Sequence, residues 1–233
     1  MYKKLAGFAF VGLLASTLSA HAATMTFTTA SGATNPSSGQ PVDASATVST
    51  SAGTVTITLT DLLVNPNDVS QLISDFDFKL SNNATTGTLT SSSGQQITIG
   101  AGGSTTLGST TSTGWGVNDN VNGGIQLDAL GFIGPAGLII GPGPYTNANG
   151  SIAGNGPHNP FINGSATFVL AVSGVTADTT ITSAIFSFGT TAGVDVPGTP
   201  GNPPPPVPEP SSLALLGSGI IGAAGLIRRR LAA

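Results

Sequence analysis

The sequence predicts a mostly β protein, an antiparallel β-sandwich set between two terminal targeting segments. Three observations carry that reading. Apolar residues alternate with Thr or Asp along several short runs, the period of a half-buried strand. Ser, Thr, Gly and Asn fill the stretches between them, and only 7% of the 233 residues are charged, fewer than an ordinary disordered chain would carry. There is no Cys, so a packed core has to hold the chain together without disulfides.

The elements follow in order. Lys3 and Lys4 form a positive n-region, residues 5–18 an apolar h-region, and Ala20-His21-Ala22 a small-x-small cleavage box. Residues 1–22 are therefore expected to be a secretory signal peptide, cut between Ala22 and Ala23. The ectodomain is expected over residues 23–196. Met25 and Phe27 alternate with Thr24, Thr26 and Thr28; Val55, Ile57 and Leu59 with Thr54, Thr56, Thr58 and Thr60; Phe76, Phe78 and Leu80 with Asp75, Asp77 and Lys79. Residues 97–99, 125–133, 166–172 and 180–188 are further strand candidates, rich in β-branched residues and Phe. One helical turn is expected at 69–73, capped by Asp68. Residues 82–93 and 100–114 read as Gly/Ser/Thr loops, and 135–160 as a long irregular segment with few apolar anchors. Residues 197–207 read as a Pro-rich spacer. In polyproline II form the stretch on to Pro210 spans about 40 Å.

Charge excludes one function class. Between Ala23 and Val207 the chain has one Lys, Lys79, no Arg and nine Asp, which leaves a formal charge of −8. Nucleic-acid binding needs clustered Lys and Arg to neutralise phosphates. The segment of about 185 residues is long enough for one domain with its own core.

The C-terminus is the most specific stretch. Val207-Pro208-Glu209-Pro210-Ser211 is extended, because proline fixes its own φ and pushes the preceding residue out of the α region. Residues 211–227 carry no charge and hold Gly217, Gly219, Gly222 and Gly225, which a membrane helix tolerates. As a helix they span about 25 Å, just short of a hydrocarbon core of about 30 Å. A single C-terminal transmembrane helix is expected there, with Arg228, Arg229 and Arg230 as the stop charges on the cytoplasmic side. In this order, the motif, the glycine-bearing apolar run and the Arg cluster resemble the PEP-CTERM sorting signal of Gram-negative bacteria, over residues 208–233. The resemblance implies recognition by an exosortase, a membrane-embedded, cysteine transpeptidase-like enzyme, and cleavage close to Pro208-Glu209-Pro210. It also implies an association with exopolysaccharide and biofilm. Such tails are also catalogued as an ice-binding protein C-terminal domain, a label that describes the tail alone. The stretch from Thr146 to Phe161 and the run from Phe186 to Thr190 are similar to parts of other PEP-CTERM proteins that carry no function over.

Catalytic residues are expected to be none, and the protein is not expected to be an enzyme. His158 is the one His left after signal cleavage and reads as a loop residue between prolines. Asp75 and Asp77 share one strand face about 7 Å apart, near the spacing of an inverting glycosidase. A solvated outer face, with Lys79 reducing their repulsion, explains them better. Asn118-Asp119-Asn120-Val121-Asn122-Gly123 resembles the front of a calcium loop. Asn118 stands where that motif has Asp, and Ala129 where it has Glu, so an EF-hand is out. Asn118, Asp119, Asn120 and Asn122 remain a weak Ca²⁺ candidate, and a polar turn is the plainer reading. Trp115 is either a core anchor, the favoured reading, or an exposed platform for a sugar ring. Thr54, Thr56, Thr58 and Thr60 form one Thr row, where ice binding would need many. The expected protein is thus an exported surface or matrix structural protein. Its partners would be the secretion translocon, signal peptidase, an exosortase and exopolysaccharide. A carbohydrate- or Ca²⁺-dependent binding module is the alternative, and a glycoside hydrolase a remote one.

Overall fold

A computed structural model describes residues 23–201. The signal peptide, the residues from 202 onward and the expected transmembrane helix lie outside the described residues. Among the described residues no helix is long and apolar enough to cross a membrane.

The described chain is almost all strand: β1 (Ala23–Thr29), β2 (Ala44–Ser51), β3 (Thr54–Asp61), β4 (Ile73–Leu80), β5 (Thr88–Ile99), β6 (Thr105–Thr111), β7 (Gly116–Val121), β8 (Gly124–Asp128), β9 (Ile139–Ile140), β10 (Phe161–Ala171), β11 (Ile181–Phe188) and β12 (Asp195–Pro200). They join in the order β6-β5-β10-β3-β2-β1-β12-β11-β4-β8-β7. The two-residue strand β9 pairs with both β10 and β4. That link closes β10, β3, β2, β1, β12, β11, β4 and β9 into an eight-stranded barrel.

The mostly β expectation stands, but the sandwich gives way to a barrel. The physical reason lies in residues 135–160, expected to have few apolar anchors. Leu138, Ile139, Ile140, Tyr145 and Ile152 are all buried there. Two residues are too few to show a period, so the strand that shuts the ring leaves no pattern in the sequence. Closure removes the free edges that two separate sheets would have to protect. The remaining edges belong to the ribbons β5–β6 and β7–β8, which extend beyond the ring.

The barrel interior is filled from alternating positions. Val55, Ile57 and Leu59 of β3, Phe76 and Phe78 of β4, Phe168 and Leu170 of β10, and Phe186 and Phe188 of β11 are all buried. The rings of Phe76 and Phe186 lie tilted with centroids 5.1 Å apart, a favoured aromatic geometry. Trp115 packs on Phe168 at 5.1 Å, and its Nε1 donates to the Gly137 carbonyl at 2.8 Å.

Three local expectations are met or shifted. The helical turn is a 3₁₀ turn, Val69–Gln71, capped by Asp68, with Gln71 reaching back to complete a capping box. The loops expected at 82–93 and 100–114 are largely the β5–β6 hairpin, whose Ser and Thr side chains gave no apolar alternation. Strand β12 runs through Pro200 between β1 and β11, so the sheet reaches four residues into the stretch read as spacer.

Candidate functional site

The outer side of the barrel divides by chemistry. On one half, the residues of β1, β2, β3, β10 and β5 align across the sheet. Thr26 pairs with Thr47, Thr47 with Thr58, Thr58 with Thr167 and Thr167 with Ser93. Neighbouring rows run from Thr24 through Ser49 to Thr56, and from Thr28 through Ser45 and Thr60 to Ser165. Thr58 and Thr167 hydroxyls sit 3.1 Å apart. The single Thr row read on β3 is therefore one line of a hydroxyl lattice without charge. Its other members lie on strands whose pairing the sequence does not reveal.

The other half, β12-β11-β4-β8-β7, carries acid. Register places Asp195, Ser187, Asp75, Asp128 and Gly116 in one row across the five strands. The next row holds Pro197, Ile185, Asp77, Gln126 and Asn118. Phe76, Phe78, Ile125, Leu127 and Phe186 occupy the alternate positions and point into the core. Asp75 and Asp77 were expected on a solvated face, and this is corrected: they are only 2% and 7% exposed, and Asp128 is 8% exposed. As the middle strand of this half, β4 has neighbours that close over its short Asp side chains.

Donors are scarce on this face. Asp128 is served: Asn118 Nδ2 donates to its Oδ2 at 2.8 Å, and the Gly131 amide to its Oδ1 at 3.0 Å. Ser187 donates to Asp195 at 2.7 Å. Asp75 Oδ1 and Asp77 Oδ1 are buried with no partner. Burial pushes the Asp75 carboxyl up to about 8, and the adjoining Asp128 adds to the effect. Burial likewise lifts Asp77 to about 6, against the Gln126 and Asn122 amides and with the Asp195 and Asp128 charges. These are the shifts expected when ionised groups lose more water than their few donors replace.

Beside Asp128 the chain turns sharply. The amides of Phe132, Ile133 and Gly134 all donate to the Ala129 carbonyl, so the strand read at 125–133 ends at Asp128. The turn lays Phe132, 53% exposed, on the position a Gly116 Cβ would occupy. Because Gly116 is in register with Asp128, the Phe132 ring lies on the acidic face at the end of its first row. The sequence reading missed Asp128 and Phe132. The available signal was that Asp128 is the one charged residue inside an apolar run.

The weak calcium candidates do not gather into a loop. Asn118 and Asp119 lie on β7, where Asn118 turns its amide to Gln126 and Asp128 and Asp119 Oδ1 accepts the Gly87 amide at 2.9 Å. Asn120 and Asn122 take left-handed conformations at φ 58° and 51°, as hairpin residues do. Among the described residues no three His or acidic side chains are grouped as metal ligands would be. Trp115 is 4% exposed and serves the core, which removes it as a sugar platform. His158 lies in a 3₁₀ turn, and its Nδ1 donates to the Ser151 carbonyl at 2.7 Å.

Comparison with known proteins reaches the tail alone. Residues 206–230 match the family described as the PEP-CTERM protein-sorting motif. No curated protein and no solved structure matches the chain. The chain is thus an exported protein with a C-terminal sorting tail. It carries the PEP-CTERM motif and is targeted to an exosortase, its processing partner. Val207, Pro208, Glu209, Pro210, Ser211 and the three arginines fall inside the matched stretch. Ala20 and Ala22 of the signal-cleavage box lie outside the described residues, and Ala23 begins β1.

Proposed function

We propose that this chain is a structural protein of the cell surface or extracellular matrix, released from its tail by exosortase cleavage and associated with exopolysaccharide in biofilm. The observation that carries the reading is the sorting motif at 206–230 behind a Cys-free β domain. The hydroxyl lattice on β1, β2, β3, β10 and β5 supports it. A surface of Ser and Thr without charge suits hydrated contact with neutral polymers or carries attached sugars. Signal peptidase and the translocon act before the exosortase. In this reading the protein is not an enzyme, and His158 is a loop residue held by the Ser151 carbonyl.

Intact mass of the protein from its own host, taken from membranes and from medium, tests this. A medium form running from Ala23 to the Pro208-Glu209-Pro210 motif is expected, with excess mass where sugars are attached. Full-length chains confined to membranes would overturn it. A glycoside panel with an Asp77→Asn control tests the remote hydrolase alternative, which activity lost in that variant would revive. The binding-module alternative gains one specific observation, the acidic face with Phe132 at its end.

A further inference from the structure

We infer that the outer face of β12-β11-β4-β8-β7 is a binding site for a neutral or amino-bearing oligosaccharide, with Asp75 and Asp77 accepting its hydroxyls and Phe132 stacking on a sugar ring. The inference rests on the exopolysaccharide reading for its class of ligand, and its residues are independent of the sorting tail.

Three separate observations converge on this face. Asp75 Oδ1 and Asp77 Oδ1 are acceptors without donors on side chains more than nine-tenths buried. Leaving such a group unpaired costs about 1–3 kcal/mol. Of the amides on this face, Asn118 donates to Gln126 and Asp128, and Gln126 and Asn122 act on Asp77 while its Oδ1 stays unpartnered. A ligand rich in hydroxyls brings the missing donors. Second, Phe132 is an exposed aromatic ring lying flat across the backbone at Gly116, where any side chain on residue 116 would displace it. A ring held flat on a polar sheet face offers its π-surface to the C–H face of a sugar. Third, a cavity of about 10 Å³ opens beside Asp77, lined by Phe78, Lys79, Val121, Asn122, Ser183 and Ile185, with a mainly apolar surface. It is large enough for one small group and suits a C–H group of a sugar better than a hydroxyl.

Geometry and charge select the ligand. Five strands at about 4.8 Å spacing give a row of about 19 Å from β12 to β7, the reach of a short oligosaccharide rather than one sugar. The charges of Asp77, Asp128 and Asp195, with no Arg among the described residues, repel uronic acids and sulfated sugars and favour an amino group. A cation is the competing occupant, but the acidic side chains are not grouped as metal ligands would be.

The test uses the protein recovered from its host. It is titrated against neutral, amino-bearing and uronic oligosaccharides, and in parallel against calcium alone. Binding of the first two classes and not the third is expected. Phe132→Ala and Asp77→Asn are each expected to weaken binding by about tenfold or more. Val64→Ala, which trims an exposed apolar residue elsewhere, should leave it unchanged. No glycan binding at millimolar concentrations overturns the inference, as does binding that survives Phe132→Ala. Calcium binding lost in Asp75→Asn, with glycans silent, makes this a cation site instead. If the intact mass shows a permanently anchored protein that still binds glycans through Phe132, the matrix reading falls and this one stands.

Discussion

Asp75 stands directly opposite Asp128 across the β4–β8 pair, with both side chains buried. Like charges facing each other across a sheet destabilise it, and no Arg lies among the described residues. The pair persists because Asp75 holds a proton to about pH 8.

That arrangement fixes the sign of the pH dependence. A carboxyl whose folded value is raised stabilises the fold fully below its unfolded value, near 4. The stabilisation fades as pH rises through about 6 for Asp77 and about 8 for Asp75. The Tm is therefore expected to fall between about pH 4 and pH 8, more steeply below about pH 6, where both groups contribute. Asp75→Asn should flatten that fall and raise the Tm at its alkaline end, by about 2–4 °C per kcal/mol recovered. A Tm that climbs over this interval contradicts the assignment.

Trp115 offers a test of the core. Trp115→Phe keeps the contact with Phe168 but strips the buried Gly137 carbonyl of its donor. A loss of about 1–3 kcal/mol is expected in urea unfolding. Trp115→Ala should cost about 3–5 kcal/mol. If Trp115→Phe unfolds at the same urea midpoint as the unchanged protein, the Nε1 bond contributes nothing.

Truncation tests the edge of the domain. A chain stopped at Val196 loses the pairing of Pro197 with Ile185, Gly198 with Thr29, Thr199 with Thr28 and Pro200 with Phe27. It should melt at least about 5 °C below a chain stopped at Gly201. Equal melting temperatures would return residues 197–200 to the spacer.

Asp68 ties a turn to a loop. It caps Val69–Gln71 through the Ser70 amide and accepts Asn149 Nδ2 at 2.6 Å. Asp68→Ala should cost about 1 kcal/mol, read as a lower urea midpoint at unchanged m-value. An unchanged midpoint would mean that water replaces both bonds at no cost.

How far the sequence could be read follows from where its apolar residues sit. β1, β3, β4 and β11 alternate large apolar side chains with Thr, Ser or Asp, and they were visible. β2 was not, because two of its buried positions are Ala44 and Ala46, which carry little hydropathy contrast. β6 is exposed at every residue and exists through its pairing with β5 alone. The acidic face was half legible. Asp75 and Asp77 were placed on one side of one strand, but their burial depends on Ser187 and Asp128, which are contributed by distant segments. Phe132 looked like the inside of a strand because nothing local announces that the strand stops at Asp128.

The pairing of β12 with β1 and β11 has a mechanical consequence. A pull on the tail reaches the domain at Gly201, whose amide is fastened to the Thr26 carbonyl at 2.7 Å. Directed along β12, that tension meets hydrogen bonds lying across the strand on both sides. It shears them together instead of unzipping them singly. The last strand before the sorting tail is thus also the one placed to carry tension along the chain.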